Sequence, residues 1–418
     1  MTYYQSTAAC HAYPALNADL SCDICIIGAG YAGLSAAAGL VERGNTQIVI
    51  IESEQVGYGA SGRNGGFVFG GFSLGNQALL SCLGATRARQ LYRLTLDAVE
   101  LIRRRINRYA IDCDKNESGV LLANWFDDDR ILQRHQNLMR TQFGVDWTHW
   151  SREQTREHLH TDRYFGALHE TNAFHFHPLK YAQGLAAALA AQGVQLYEQS
   201  RAVKIDSRGP EKIVHTARGK IRAQHVIVCC GGYIEALLPA LSRSVLPVTT
   251  FVMSTEPLGD RLSAALSTSA AVYDTRYAFD YYRPLGDTRL LWGGRISIFN
   301  PHPERIAKRL YQDMLKVYPQ LAGIKVEHAW SGRMSYARHQ MPQIGQLNDA
   351  IWYAMGFGGH GISTTTLAGE TIAQAIVHQQ KLPDGLEQFG LPASFGAIGL
   401  LAAQCTYWYY ELRDSWRQ

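Results

Sequence analysis

Three glycines, Gly28, Gly30 and Gly33, follow the apolar run Cys25-Ile26-Ile27 and open a stretch of helical character, and a second apolar run, Ile48 to Ile51, ends at Glu52. Strand, turn, helix and strand in that order, with G-x-G-x-x-G and an acid about twenty residues on, commit this part of the chain to a parallel βαβ unit. Each glycine has its own task. The first permits a tight turn, the second lets backbone approach a pyrophosphate, and the third lets helix and strand pack closely. Tyr31 and Ala32 begin the helix, whose N-terminus offers N–H groups and a partial positive charge to phosphates. Glu52, followed by Ser53, is placed to accept hydrogen bonds from an adenosine ribose. The unit reads as a dinucleotide site.

A length of 418 residues suggests about two domains with ample core. A net charge of +4 without a dense Lys/Arg stripe argues against a nucleic-acid partner. Arg103-Arg104-Arg105 falls in a helical pattern and reads as a solvated face. The N-terminus lacks a basic stretch followed by an apolar core, so no signal peptide is expected. Cys22 and Cys25 sit at or in the first strand and Cys229-Cys230 ends another, which suits reduced thiols in a cytoplasmic protein. His175 and His177 could ligate a metal, but no third ligand stands at a suitable spacing, so none is expected. No stretch reaches the length of a transmembrane helix. The nearest is Phe395 to Tyr410, followed by Glu411-Leu412-Arg413-Asp414. It reads either as a helix docked on the core or as an interfacial anchor, possible peripheral membrane contact at the inner face included.

Up to about Leu20 the chain reads as an extended arm. After the nucleotide unit comes Gly57-Tyr-Gly-Ala-Ser-Gly-Arg-Asn-Gly-Gly66, too rich in glycine for a regular element and suited to backbone lying against a ligand. Asn76 to Ala110 is helical; Pro178 and Gly193 bracket another helix; His225 to Cys229 is a buried strand. Between Val245 and Ile298 the pattern turns strand-like, as in an antiparallel layer covering the ligand. Ile351 to Met355 is a last strand and Thr364 to Val377 a last helix.

Gly356-Phe-Gly358-Gly359-His360-Gly361 repeats the glycine spacing between strand and helix. No strand ending in an acid follows at the right distance, so this loop is expected to close over the same ligand as the first. Ser363 is available as the helix cap. A helix dipole aimed at the pyrimidine edge of a flavin stabilises the reduced ring.

These residues carry a resemblance. In order along the chain, CDICIIGAGYAGLSAAAGLVERG, VGYGASGRNGG, FHPLKYAQGLAAALAAQGVQLYEQS, HVIVCCGGY, YYRPLGDTRLLWGGR, MPQIG and GFGGHGIST resemble the D-amino-acid oxidase/glycine oxidase superfamily of FAD enzymes, near its gamma-glutamylputrescine oxidase branch. The resemblance implies an α/β fold with an α+β cap: a Rossmann-like FAD-binding domain from 1–90, 160–245 and 325–390, a mostly antiparallel substrate domain from 91–159 and 246–324, and an aromatic C-terminal helix in 391–418. It implies oxidation of a C–N bond to an imine by hydride transfer to flavin N5. Gly28, Gly30, Gly33 and Glu52 would hold the ADP half. Ser61, Gly62, Arg63, Asn64, Gly65 and Gly66 would follow the ribityl chain and ring. Val203 resembles a backbone contact to adenine and Gly231 the turn near the pyrophosphate. Gly358, Gly359, His360, Gly361 and Ile362 would flank the far end of the flavin, with His360 either serving the ring or held within its loop.

The chain also departs from the pattern. Gly332 to Arg338 contains no cysteine for flavin attachment there. Met334 stands where glycine oxidase relatives carry a carboxylate-clamping arginine, with Arg333 one position earlier. The lysine that activates oxygen in some relatives would fall near Leu291-Trp292, and none is there. Amine oxidation needs a neutral nitrogen held against the ring more than a strong base. Tyr277, Phe279, Tyr281, Tyr282 and Arg283 form the most suggestive substrate group. Alternation sends Tyr281 and Arg283 to one face, as aromatic wall and carboxylate clamp, and Tyr282 to the other; a core layer with a surface arginine is the alternative. The expected substrates are secondary amines, cyclic imino acids such as pipecolate, or gamma-glutamyl polyamines, with oxygen or a quinone as acceptor. On the residues alone, an NAD(P)-linked dehydrogenase and a non-catalytic flavin-binding protein stay open.

Overall fold

Ile48–Ile51 is buried at all four positions, the pattern of a parallel strand covered on both faces. The computed structural model describes residues 1–9, 11–299, 301–348 and 350–417. In it this strand lies between Leu20–Ile27 and Gln195–Tyr197, parallel to both, with Ile24 opposite Ile48 and Ile27 opposite Ile51. Lys220–Val228 and Ile351–Met355 continue the parallel sheet, and Gln343–Asn348 closes that edge antiparallel. The helix Tyr31–Val41 covers one face and packs on Gly361–His378. A Cβ at Gly369 would come within 2.4 Å of the Ala36 nitrogen, so only glycine permits this helix crossing.

The reading of Arg103 to Arg105 as a solvated face is corrected at its last residue. Arg105 is 1% exposed. It donates to Glu42 at 3.0 and 2.9 Å and to Glu370 at 3.1 Å, tying the end of Asn76–Arg108 to the two crossing helices. Glu370 also pairs with Arg43, and the Tyr109 hydroxyl donates to Glu42 at 2.9 Å. The helix repeat turns one arginine of three inward, and two carboxylates from other helices make its burial tolerable.

A second eight-stranded sheet runs Val326–Ala337, Val245–Thr255, Leu290–Ser297, Asp280–Pro284, Ala271–Asp274, Val120–Ala123, Ala167–Glu170, Thr148–Trp150. It is antiparallel except where Ala271–Asp274 meets Val120–Ala123. Hydrogen-bonded pairing puts Ala167–Glu170 and Val326–Ala337 in this sheet, although both fall in stretches expected to belong with the first. Tyr282 stacks on Trp292 at 4.4 Å in the core beneath Pro303–Val317, so alternation directs Tyr281 and Arg283 to the opposite face.

The N-terminal arm is also not simply extended. Thr2 and Gln5 form a capping box over a short helix, Tyr3–Thr7, that buries Tyr3 and Tyr4. One turn is too short to show a helical period. At the other end, Gly396–Trp416 is a helix docked by one face against the second sheet.

Replacing Arg105 with Ala strands Glu42 and Glu370 and should lower the unfolding free energy by about 3 kcal/mol, read as a shift of the denaturant midpoint. Arg105→Lys should recover only part, since a single ammonium cannot reproduce the bidentate bond.

Candidate active site

Leu20–Ile27, Ile48–Ile51 and Lys220–Val228 run at their carboxyl ends into Gly28, Glu52 and the turn at Gly231, the place where open parallel sheets bind ligands. These residues line one cavity of about 1040 Å³ that continues beneath the second sheet. Gly28 has φ +108°, and a Cβ there would meet the Cys229 carbonyl oxygen at 2.8 Å. Gly33 lies off the cavity wall; its Cβ would sit 2.0 Å from the Gly28 oxygen, so its task is packing. Glu52 accepts the Ala29 N–H at 2.8 Å, and both Glu52 and Ser53 line the cavity. Ser61 takes the Tyr31 N–H at 2.9 Å, leaving the N–H groups of Gly30 and Ala32, on the cavity wall, without a hydrogen bond among the described residues. Such orphan donors at a helix N-terminus fit a pyrophosphate. Val203 and Gly231 line the same end. The Val203 N–H already serves the His215 carbonyl at 2.8 Å, so that donor is not available to a base.

The glycine-rich loop is held from behind. Trp330 Nε1 donates to the Arg63 carbonyl at 2.9 Å, the Tyr4 hydroxyl to Asn64 at 2.8 Å, Arg283 Nε to Gly65 at 2.7 Å, and the Phe176 N–H to Gly66 at 3.0 Å. Four consecutive carbonyls thus face protein. The N–H groups of Asn64 and Gly65 have no partner among the described residues, and both residues line the cavity, as does Arg63. Donors so placed fit the polar edge of a flavin. Gly66, at φ +84°, approaches so closely that a Cβ would sit 2.1 Å from the Phe176 oxygen. Gly62 is buried behind the loop, off the cavity wall.

Arg283 therefore does not clamp a substrate, and that expectation is corrected. It is 3% exposed and off the cavity wall. Besides Gly65, it donates to the Phe176 carbonyl at 2.9 Å and lies 3.4 Å from His175 Nδ1. The alternation was right, but a loop fills the space in front of the guanidinium. Tyr281 does line the cavity, packed so tightly on Gly65 that a Cβ there would meet its ring at 2.6 Å.

The second glycine loop lines the same cavity through Gly358, Gly359, His360, Gly361, Ile362 and Ser363. Ser363 is not the cap: its hydroxyl donates to the Phe69 carbonyl at 2.8 Å. The N-cap is His360, and no side chain caps the helix. This uncapped N-terminus, open beside Gly361, fits a group that accumulates negative charge. The His360 ring meets the edge of Phe69 at 5.0 Å, and burial pushes its pKa down to about 4, so it stays neutral. Ser73 was not foreseen; its hydroxyl donates to the Phe357 carbonyl at 3.1 Å and accepts the His360 N–H at 3.3 Å. Tyr336 and Arg338, also unforeseen, line the cavity, as do Tyr273, Tyr277 and Phe279.

His175 and His177 are not a ligand pair. His175 Nε2 bonds the Ser269 carbonyl at 2.8 Å; His177 Nδ1 accepts the Lys180 N–H at 3.1 Å, with Nε2 3.0 Å from Thr7 Oγ1. Burial pushes both pKa values down to about 3.

A parallel sheet that brings a phosphate loop and a second helix N-terminus to one cavity defines a dinucleotide-dependent enzyme. Residues 23–375 match the family model "FAD dependent oxidoreductase" (DAO), and the chain belongs to this family. It is thus an FAD-dependent oxidoreductase of amines and amino acids. It is 34% identical to the gamma-glutamylputrescine oxidoreductase of Escherichia coli, over 99% of this chain and 98% of that protein. It is 32% identical to "Probable oxidoreductase OrdL" of Haemophilus influenzae, over 99% and 97%. Glycine oxidase from Geobacillus kaustophilus shares the fold with a TM-score of 0.74 at 22% identity, over 89% of this chain and 99% of that one.

Arg283→Ala should weaken FAD retention by about tenfold or more, since two charge-assisted bonds to backbone are lost, and Tyr4→Phe by a few-fold. The flavin-to-protein absorbance ratio after gel filtration reads both. Unchanged flavin content with a raised substrate KM would return Arg283 to a substrate role.

Proposed function

We propose that this chain oxidises the C–N bond of a gamma-glutamylated polyamine, giving an imine that water converts to an aldehyde. Bound FAD supplies the two-electron acceptor for that oxidation. The fate of the arginines carries the reading. An α-amino-acid substrate calls for a guanidinium free to clamp a carboxylate beside the reacting carbon. Arg276 is taken by Asp274 and Asp280, Arg295 by Asp313 and Glu411, and Arg283 by backbone. Met334 lines the cavity where an arginine would be needed, and Arg333, also on the wall, lies over the Tyr233 ring at 5.2 Å, at the dinucleotide end beside Gly232. Arg338, also on the cavity wall, has no ion-pair partner among the described residues and lies 5.7 Å from the Phe395 ring, beside the C-terminal helix. It suits the carboxylate of a long substrate whose amine end reaches the walls formed by Tyr273, Tyr277, Phe279 and Tyr281. The 34% identity to a gamma-glutamylputrescine oxidoreductase supports the same substrate class.

The only carboxylates on the cavity wall among the described residues, Glu52 and Glu235, belong to the dinucleotide end, and no lysine lines it. At the ring end, burial pushes the pKa of His360 down to about 4, which leaves its neutral imidazole too weak a base to take a proton from an ammonium. The substrate must bind as the free amine, so the acid limb of kcat/KM should follow the pKa of the substrate amine. We assign oxygen or a quinone as acceptor and the cytoplasm as compartment. The lack of a cavity lysine favours turnover on a soluble quinone under nitrogen.

Anaerobic mixing of the holoenzyme with gamma-glutamylputrescine, putrescine, glycine, sarcosine and pipecolate tests the reading by flavin bleaching. Fast bleaching is expected with the first alone, and preferential bleaching by glycine or pipecolate would overturn it. Arg338→Ala should raise KM for the gamma-glutamyl substrate about tenfold with kcat nearly unchanged, because a binding contact remote from the reacting carbon is lost.

A further inference from the structure

We propose that the helix Gly396–Trp416 rests on a membrane surface rich in anionic lipid. Its inner face is anchored by polar side chains. Gln404 accepts the Ile298 N–H at 3.0 Å, Glu411 pairs with Arg295 at 2.9 Å, and Asp414 accepts the N–H groups of Tyr277 and Ala278 at 2.8 and 3.0 Å. Tyr410 stacks on Tyr277 at 3.7 Å. The outer face is the reverse. Ile398, Leu401, Trp408, Leu412 and Trp416 recur at near-helical spacing and form one exposed stripe, with Ile398 and Trp416 each 76% exposed. Tyr409 widens it. Contiguous apolar surface of this kind marks an interaction site.

The charges identify the occupant. Asp414 is buried and Glu411 is neutralised by Arg295, so among the described residues the unpaired charges at the exposed end of the helix are Arg413 and the C-cap Arg417. A second copy pairing through the same face would set arginines against a helix whose one exposed carboxylate, Glu411, is already paired with Arg295. Anionic headgroups satisfy them, while Trp and Tyr suit the level between headgroup and acyl chain. No helix among the described residues is long and apolar enough to cross a membrane, so this one lies in the plane of the interface. Ala402 and Thr406 of the same helix line the cavity, so docking brings the cavity rim to the lipid surface.

The test is flotation of the full-length holoprotein with phosphatidylcholine vesicles, plain or containing roughly one-third phosphatidylglycerol, at low and high salt. Binding is expected on the anionic vesicles, weakened by salt and by Arg413→Gln with Arg417→Gln. Trp408→Ser with Trp416→Ser should lower affinity roughly tenfold or more, with flavin content unchanged as a check on folding. No flotation with either vesicle overturns the proposal. So does a concentration-dependent dimer in sedimentation that the tryptophan pair abolishes, which would assign the stripe to a second copy. The substrate screen reads a different property, so either reading can fail alone.

Discussion

Four adjacent carbonyls, from Arg63 to Gly66, are each held by a different part of the chain: a tryptophan, a tyrosine, a guanidinium and a main-chain N–H. A peptide unit cannot turn its oxygen inward without turning the neighbouring N–H outward. Tying the oxygens therefore fixes which donors face the cavity, and does so before any ligand arrives. Preorganisation of this kind spares the site the cost of ordering a glycine-rich loop on binding. Gly66 is needed because the loop runs against the Phe176 backbone, and Tyr281 closes over Gly65 from the cavity side.

The same economy governs the arginines. Arg105, Arg276, Arg283 and Arg295 all hold together segments far apart in sequence or polar turns in the second sheet. Planar guanidinium groups with several donors suit this work, because one side chain can satisfy two carboxylates or two carbonyls at once. The consequence for chemistry is subtractive. On the cavity wall Arg276 and Arg295 are held by carboxylates, which takes them from a substrate although they stand within its reach.

Much of the fold was legible in the sequence. The βαβ unit, the strand at His225–Cys229, the helix from Pro178 and the strand-like region after Val245 all rest on local periodicity and glycine placement, which report backbone geometry directly. The second glycine loop joins the first cavity, as its missing acid implied. What escaped were features decided by distant partners. Nothing near Arg283 announces that Gly65 will lie in front of it, and nothing in Arg103-Arg104-Arg105 says which residue meets Glu42 and Glu370. Ser363 looked like a cap because its position fits; the neighbouring Phe69 carbonyl claimed its hydroxyl instead. Tyr4, Ser73 and Trp330 carry no local signature, since each acts through one bond made across the fold.

The groups that shape the glycine-rich loop come from nearly the whole chain: Tyr4 close to its start, Phe176 in the middle, Arg283 and Trp330 late. The cavity wall is completed only by the last helix. During synthesis the βαβ unit emerges first and can fold early, but the ring-side half of its pocket has no backing until Arg283 and Trp330 have followed. The nucleotide-binding half and the ring-side half thus differ in how they are built: the first closes within one local unit, the second waits on contacts made across the chain.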